Sequence, residues 1–507
     1  MADFLAHLAP YVSVSLLFGG AIAAVRSQDK VAPLLAERAT LGALIAALIG
    51  AGGVAFGSGA ASPLALLRLD PLAAMMLTLI AGVGLAVVRY SKNYLGGDPR
   101  RAEFLSGLCI TLGAVATMVT AGNLIILAIA WVTMSLSLHR MLLFYGERKA
   151  AQVAARKKFI LARIGDACLI GAVGVLIGVY ETTSVDAVLA AARNGVGAEG
   201  VGVATILLAI AAMLKSAQFP SHGWLTEVME TPTPVSALLH AGVVNAGGFL
   251  LIRFADVMVL NMPMLGVVAI IGGFTALFGG FAMLTQTSVK VSLAYSTVAQ
   301  MGFMILQCGL GAFSAAALHL VAHSLYKAHA FLASGRAVTA VAARETKSER
   351  APAKAIAGIA IALGIYALCT VVFGSALVKT PAIIGLGAIF VAGLSIYISD
   401  LVGDRDTLVR GGLVALGASG AYFALQAAML AILAPVVPVE VALGTAGTVI
   451  FIAAVVSFVL AAFAQAAGGD QGLFQKSLYV HLSRGLYANA VFNRLIGALS
   501  TGSNVRS

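Results

Sequence analysis

Lys215, within Leu214-Lys215-Ser216-Ala217-Gln218-Phe219-Pro220, and Lys327, within His319-x3-His323-x3-Lys327, both interrupt sequence that is otherwise apolar. A lysine at the centre of a spanning helix costs about 2.5–3.5 kcal/mol on insertion scales, so each is a candidate for moving charge across a membrane. His319, His323 and Lys327 recur at i, i+4 and i+8 and therefore share one helical stripe, with Tyr326 and His329 nearby. Histidine and lysine side by side in a low-dielectric site have coupled titrations, which permits a proton relay near neutral pH. The His-x3-His pair would also suit a metal, but no third ligand stands at matching spacing, so no metal site is expected in this chain. Lys215 has a blander alternative, a side chain snorkelling from a helix end. His240, well inside the next helix, is either a proton carrier or a hydrogen-bonded core residue.

Pro220 follows Lys215 by five residues, and Pro232 and Pro234 precede the next helix. Proline removes a backbone donor, and a helix broken at membrane depth leaves carbonyls that must face protein or a wet cavity. Such breaks mark ion sites in transporters. Few acids accompany the cations. Asp70 opens the third span after Arg68, and Arg163 and Asp166 stand at i, i+3, where an ion pair or a helix cap would make the charge tolerable. Glu227 and Glu230 flank the loop after the break and are read as solvated.

The elements that must position these groups are spanning helices. The 507 residues are 60% hydrophobic and 10% charged, with mean hydropathy +0.98, and no soluble core could bury that much apolar surface. Apolar runs of spanning length fall near 10–25, 39–57, 66–88, 105–121, 123–144, 159–179, 201–219, 234–252, 264–285, 289–311, 313–334, 355–375, 381–400, 411–434 and 446–467. The expected fold is an all-α polytopic membrane protein of about 13–15 transmembrane helices. The first run lacks a basic leader and a small-residue cleavage site, so it reads as a retained helix. Cys109, Cys168, Cys308 and Cys369 lie in apolar runs without ligand spacing and imply packing, not a disulfide framework.

Basic residues gather in alternate loops: Arg26, Lys30 and Arg38; Arg89, Lys92, Arg100 and Arg101; Arg148, Lys149, Arg156, Lys157 and Lys158; Arg336, Arg344, Lys347, Arg350 and Lys354; Arg405 and Arg410. By the positive-inside rule the N-terminus lies outside and the C-terminal tail is cytoplasmic. This asymmetry accounts for the net charge of +11, so nucleic-acid binding is not implied. From about residue 471 the pattern turns amphipathic, with Arg484, Tyr487 and Arg494 bordering an apolar stripe. It suits an interfacial anchor or a docking surface for a cytoplasmic partner.

Taken in order, Leu214 to Leu225, Pro232 to His240, Leu293 to Gly302, and His323-x3-Lys327 through Gly335 resemble the proton-antiporter-type subunits of respiratory complex I and of multisubunit Na+/H+ antiporters. The likeness runs from about residue 64 to 336. It implies that Lys215, His240, His323 and Lys327 lie on a proton path, and that two inverted five-helix repeats each carry a broken helix, with Lys215 on the first. The implied organisation is 1–100, N-terminal helices; 101–255 and 256–410, the two repeats; 411–470, C-terminal helices; 471–507, the amphipathic tail.

The sequence departs from that pattern in the fifth span, where the family pairs a tryptophan with a following glutamate. Here Trp131 is followed by Val132 and then by Ser135-Leu136-Ser137-Leu138-His139-Arg140. Asp166, Glu227 and Glu230 are the alternative counter-charges for Lys215. No second broken-helix signature is found beyond residue 355, and the lateral helix of the largest complex I subunit has no counterpart. With Ala241 to Gly248 after His240 and His481 to Tyr487 in the tail, these departures are most similar to the DabB family, the antiporter-like subunits of bacterial inorganic carbon transporters. That resemblance implies a DabA-like partner on the cytoplasmic face, carrying zinc in a site like that of β-carbonic anhydrases, while this chain is not itself an enzyme and holds no cofactor. Protons, or Na+, would flow through it. The alternatives are a proton-pumping subunit of a quinone oxidoreductase or hydrogenase, and a Na+/H+ antiporter subunit.

Overall fold

The computed structural model describes residues 2–27, 30–57, 66–228, 231–334, 352–373, 381–439, 441–467 and 473–501. The described residues are almost wholly helical, without a named strand. In chain order the spans are α1 (Ala2–Arg26), α2 (Ala32–Phe56), α3 (Pro71–Tyr94), α4 (Arg101–Val119), α5 (Leu124–Leu142) and α6 (Lys149–Tyr180). A short α7 (Val185–Arg193) precedes the interrupted stretch α8 (Gly202–Lys215), α9 (Gly223–Glu227), α10 (Thr233–Ala241), α11 (Ala246–Arg253) and α12 (Ala255–Met258). Then follow α13 (Met262–Leu284), α14 (Val289–Gly309), α15 (Phe313–Ala333), α16 (Pro352–Phe373), α17 (Pro381–Ser399), α18 (Arg405–Leu433) and α19 (Gly444–Ala467), with the tail helices α20 (Leu473–Ser483) and α21 (Ala488–Thr501).

Within the described residues each apolar run read from the sequence falls mostly on helix, the run at 201–219 stopping at Lys215 and that at 234–252 bending between Ala241 and Ala246. Among the described residues twelve helices are long and apolar enough to cross a membrane, with α10 and α11 together making one span. The other apolar helices are α8 and the Ile383–Ser399 stretch of α17, which fall below spanning length, and α15, whose histidines and lysine lower its hydropathy. The starts follow the local signals. Asp70 accepts from the Ala73 amide with Pro71 behind it, Asn123 caps α5, Ser184 caps α7 and Asn261 caps α13.

The loops separate into two faces, as the alternation of charge requires. On one, the Arg68 amide donates to the Thr120 carbonyl at 2.6 Å, Gly122 to Leu66 at 2.9 Å and Leu124 to Thr183 at 2.9 Å, tying three connections together. Asp70 is their hub, paired with Arg68 at 2.9 Å and with the buried Arg253, at the end of α11, at 2.5 Å. Burial alone would raise the Asp70 carboxyl, but Arg253 and Arg68 hold it well below the usual carboxylate range. The opposite face carries the basic connections, including Arg100, whose guanidinium donates to the Phe144 carbonyl at 2.8 Å, and the tail packs there.

Close helix approach builds the centre. A Cβ on Gly302 of α14 would lie 2.4 Å from the Ala276 amide nitrogen of α13, and one on Gly309 2.3 Å from that of Ala269, so only glycine permits this contact. Helices α10 and α11 are buried along their length. By contrast α19 exposes Val449, Ile452, Val456 and Leu460, a surface suited to lipid.

The described loops correct two sequence readings. Lys157 and Lys158 are not loop residues: α6 begins at Lys149 and buries both, at 1% and 4% exposure. Glu227 is not merely solvated but pairs with Lys157 at 2.6 Å. Glu230 and the basic residues Arg336, Arg344, Lys347 and Arg350 lie outside the described residues.

Candidate functional site

Helix α8 ends at Lys215, and Pro220 cannot donate a backbone bond to resume it. The groups released by the break are taken up locally. Gln218 Nε2 donates to the Ser216 carbonyl at 2.8 Å, the Ser216 hydroxyl to the Val244 carbonyl at 2.9 Å, and the Phe219 amide to Thr275 Oγ1 at 3.1 Å. The break is thus held between the α10–α11 bend and α13, which fixes the direction of Lys215.

Lys215 Nζ donates to Ser135 Oγ of α5 at 2.6 Å and lies 4.4 Å from the centre of the Trp131 ring. Lys158 Nζ, from α6, donates to the carbonyl of the same Ser135 at 2.6 Å. A cavity of about 20 Å³ adjoins both ammonium groups, lined also by Trp131, Gly165, Leu214 and Trp224. That is room for about one water. Asp166 sits 2.5 Å from Arg163, an i, i+3 contact made by charge without good hydrogen-bond alignment. Asp166 and Lys215 act on each other electrostatically, but make no ion pair within 4.0 Å. The sequence therefore located the acid, and the structure gives its direct contact to Arg163.

Past the break, His222 is fully buried with neither ring nitrogen hydrogen-bonded, stacked on Phe219 at 5.6 Å. Lys157 and Glu227 stand beyond it. The tail folds back over this end: Asn489 Nδ2 donates to Thr226 Oγ1 at 3.4 Å and Asn493 Nδ2 to Glu227 Oε1 at 3.3 Å. Gly485 turns at φ +58°, where an added Cβ would meet the Tyr295 hydroxyl at 2.7 Å. Arg484, Tyr487 and Arg494 remain exposed on the outer side.

The second cluster lies between α10, α14 and α15. His240 Nδ1 is 3.0 Å from Thr297 Oγ1, with its ring stacked on Phe331 at 4.2 Å. His323 Nε2 meets the His240 carbonyl at 3.2 Å. Lys327 Nζ donates to Ser296 Oγ at 2.6 Å and to the Leu293 carbonyl at 3.3 Å. His319 continues the stripe, its Nδ1 3.0 Å from Gln307 Oε1 and its ring 6.2 Å from that of His323. His329 is exposed and makes no contact with the line, whereas Tyr326, also exposed, borders it with its ring 5.3 Å from Lys327 Nζ. Among the described residues no group of three or more His, Cys, Asp or Glu gathers as a metal site.

The sequence missed Lys158 and the hydroxyls of Ser135, Ser296 and Thr297. Lys158, Leu161, Ala162 and Gly165 all line the cavity, and this i, i+3, i+4, i+7 spacing is the signal that could have turned Lys158 inward.

Comparison with known proteins places the chain among antiporter-like, cation-translocating membrane subunits. Residues 121–402 match the family described as NADH:quinone oxidoreductase/Mrp antiporter, TM, and residues 61–105 match the complex I chain 5 N-terminus. Over 461 residues, 88% of this chain and 82% of the relative, it is 36% identical to the probable inorganic carbon transporter subunit DabB2 of Halothiobacillus neapolitanus. The chain belongs to the DabB family. It is also 43% identical, over 288 residues, to the probable subunit DabB of Hydrogenovibrio crunogenus, covering 55% of this chain and about half (54%) of that relative's length. In fold, 98% of it superposes on 60% of a chain in the Mrp complex from Dietzia sp. DQ12-45-1b, with TM-score 0.61 at 22% identity.

In this DabB-type chain the half-buried Val132 stands where the resemblance to the complex I subunits expects a glutamate. Ser135, three residues on and on the same helix face, supplies the oxygen that Lys215 meets.

Proposed function

We propose that this chain is the proton-conducting membrane subunit of an inorganic carbon accumulating complex, energising CO2 hydration to bicarbonate on a zinc-containing, DabA-like partner. The observation that carries the reading is the pair of buried lysine sites, Lys215 with Ser135 and Lys327 with Ser296, separated by His240 and His323. Every one of these groups exchanges protons or hydroxyl hydrogen bonds. Na+ would need a shell of oxygen ligands and would be repelled by ammonium groups, which favours H+ as the ion. The names carried by the DabB relatives support inorganic carbon as the cargo.

The path runs from the basic, cytoplasmic face at Lys157, Glu227 and His222 to Lys215, then through His240 and His323 to Lys327. The partner docks on the tail side, through the exposed Arg484, Tyr487 and Arg494. Lys215 and Lys327 occupy the two antiporter-like repeats, 101–255 and 256–410. Expression together with a DabA-like large subunit should restore growth in air to a strain lacking carbonic anhydrase, and the two chains should purify together. Absence of rescue, with quinone-reductase or Mrp-type subunits purifying instead, would overturn the reading.

A further inference from the structure

We propose that Lys158 is a proton-holding residue of the first site, exchanging one proton with Lys215 across Ser135; this rests on the proton-conducting reading above. The two ammonium nitrogens come from different helices, α6 and α8, yet both end on one residue, Lys158 on the Ser135 carbonyl and Lys215 on its hydroxyl, each at 2.6 Å. Both side chains border the same water-sized cavity.

The charged and titratable groups facing Lys158 are Lys215, Asp166, Arg163 and, from α5, His139. With both lysines protonated, three cations, Lys158, Lys215 and Arg163, oppose the Asp166 carboxylate, which already contacts Arg163. A buried cluster with that excess is relieved when one lysine is neutral. A serine hydroxyl accepts from an ammonium group and donates to a neutral amine, so Ser135 serves either arrangement of the proton. In the exchange one N–H bond breaks at Lys215 Nζ and one forms at Lys158 Nζ, a water in the shared cavity accepting the first proton as it gives one to Lys158. The charge of the pair is unchanged and no other reactant is consumed.

This gives Lys158 part of the work that a carboxylate at position 132 would have done. A carboxylate would hold Lys215 charged. A second amine instead lets the charge leave Lys215 without leaving the site.

The test uses the full chain with its co-purifying partner in proteoliposomes, reading proton flux with a trapped pH dye from pH 6 to 9. Lys158→Met and Lys158→Arg should each lower flux at least tenfold while the complex purifies in normal amount, because arginine keeps the charge but does not release the proton. Ser135→Ala, which leaves the carbonyl, should lower flux several-fold and displace its pH profile. Wild-type flux and pH profile in Lys158→Met, full rescue by Lys158→Arg, or an unaltered Ser135→Ala profile would each overturn the inference. Should Lys158→Met not assemble, Ser135→Ala decides alone. Loss of flux in Lys215→Met with wild-type flux in Lys158→Met refutes only the role of Lys158. Wild-type flux in both refutes the proton-conducting reading as well.

Discussion

The two lysine sites solve one problem with different chemistry. At the first site Lys215 and Lys158 both bond Ser135, both lysines line a water-sized cavity, and the Arg163–Asp166 pair lies in the same electrostatic cluster. Around Lys327 no carboxylate makes an ion pair among the described residues, and a serine hydroxyl, a backbone carbonyl and the neighbouring histidines take its place. The first site brings two amines onto one serine, whereas the second sets one lysine at the end of a stripe of histidines. Their ends differ too, since the tail covers the side of the first site at Thr226 and Glu227.

The sharpest way to break this contrast is at Lys327. With no carboxylate paired to it among the described residues, Lys327→Ala should abolish rescue of a carbonic-anhydrase-deficient strain in air while the complex still purifies. Full rescue would remove the residue from the path. At the first site, Asp166→Asn should match Lys215→Ala in severity, and the double mutant should be non-additive, since both act in one electrostatic cluster. Simple additivity of the two defects would mean that Asp166 serves Arg163 alone.

Truncation after Gln471 should release the partner while the membrane core stays folded, because the tail meets the core through a few side-chain contacts at one end. Stoichiometric co-purification of the truncated chain would move docking to the basic loops. The ion pairs on the opposite face provide the control. Arg253→Met leaves Asp70 with Arg68 alone, so its cost should stay below the ~3–5 kcal/mol of a buried charge left without a partner, and it should lower the unfolding midpoint. Because the folded Asp70 carboxyl is depressed, its stabilisation is present above its unfolded value near about 4 and fades as pH falls below that. Arg253→Met should therefore flatten the acid limb of the stability curve, and an unchanged limb would show that Asp70 contributes nothing there.

The sequence by itself determined the class, the spans, the break after Lys215 and the shared face of His319, His323 and Lys327. These follow from apolar run length, proline chemistry and the helical period, all of which act within one element. Even the charge alternation that separates the two loop faces is a property of neighbouring segments. What only tertiary structure decided is which element each face meets. Lys158 read as part of a basic loop until α6 turned it onto α5, and Glu227 read as solvated until Lys157 reached it. Ser135, Ser296 and Thr297 were silent because a hydroxyl in an apolar helix can bond its own backbone, as Thr297 also does to the Leu293 carbonyl at 3.0 Å. A hydroxyl becomes a lysine's partner only when another helix delivers the ammonium group, and no spacing within a single chain segment encodes that.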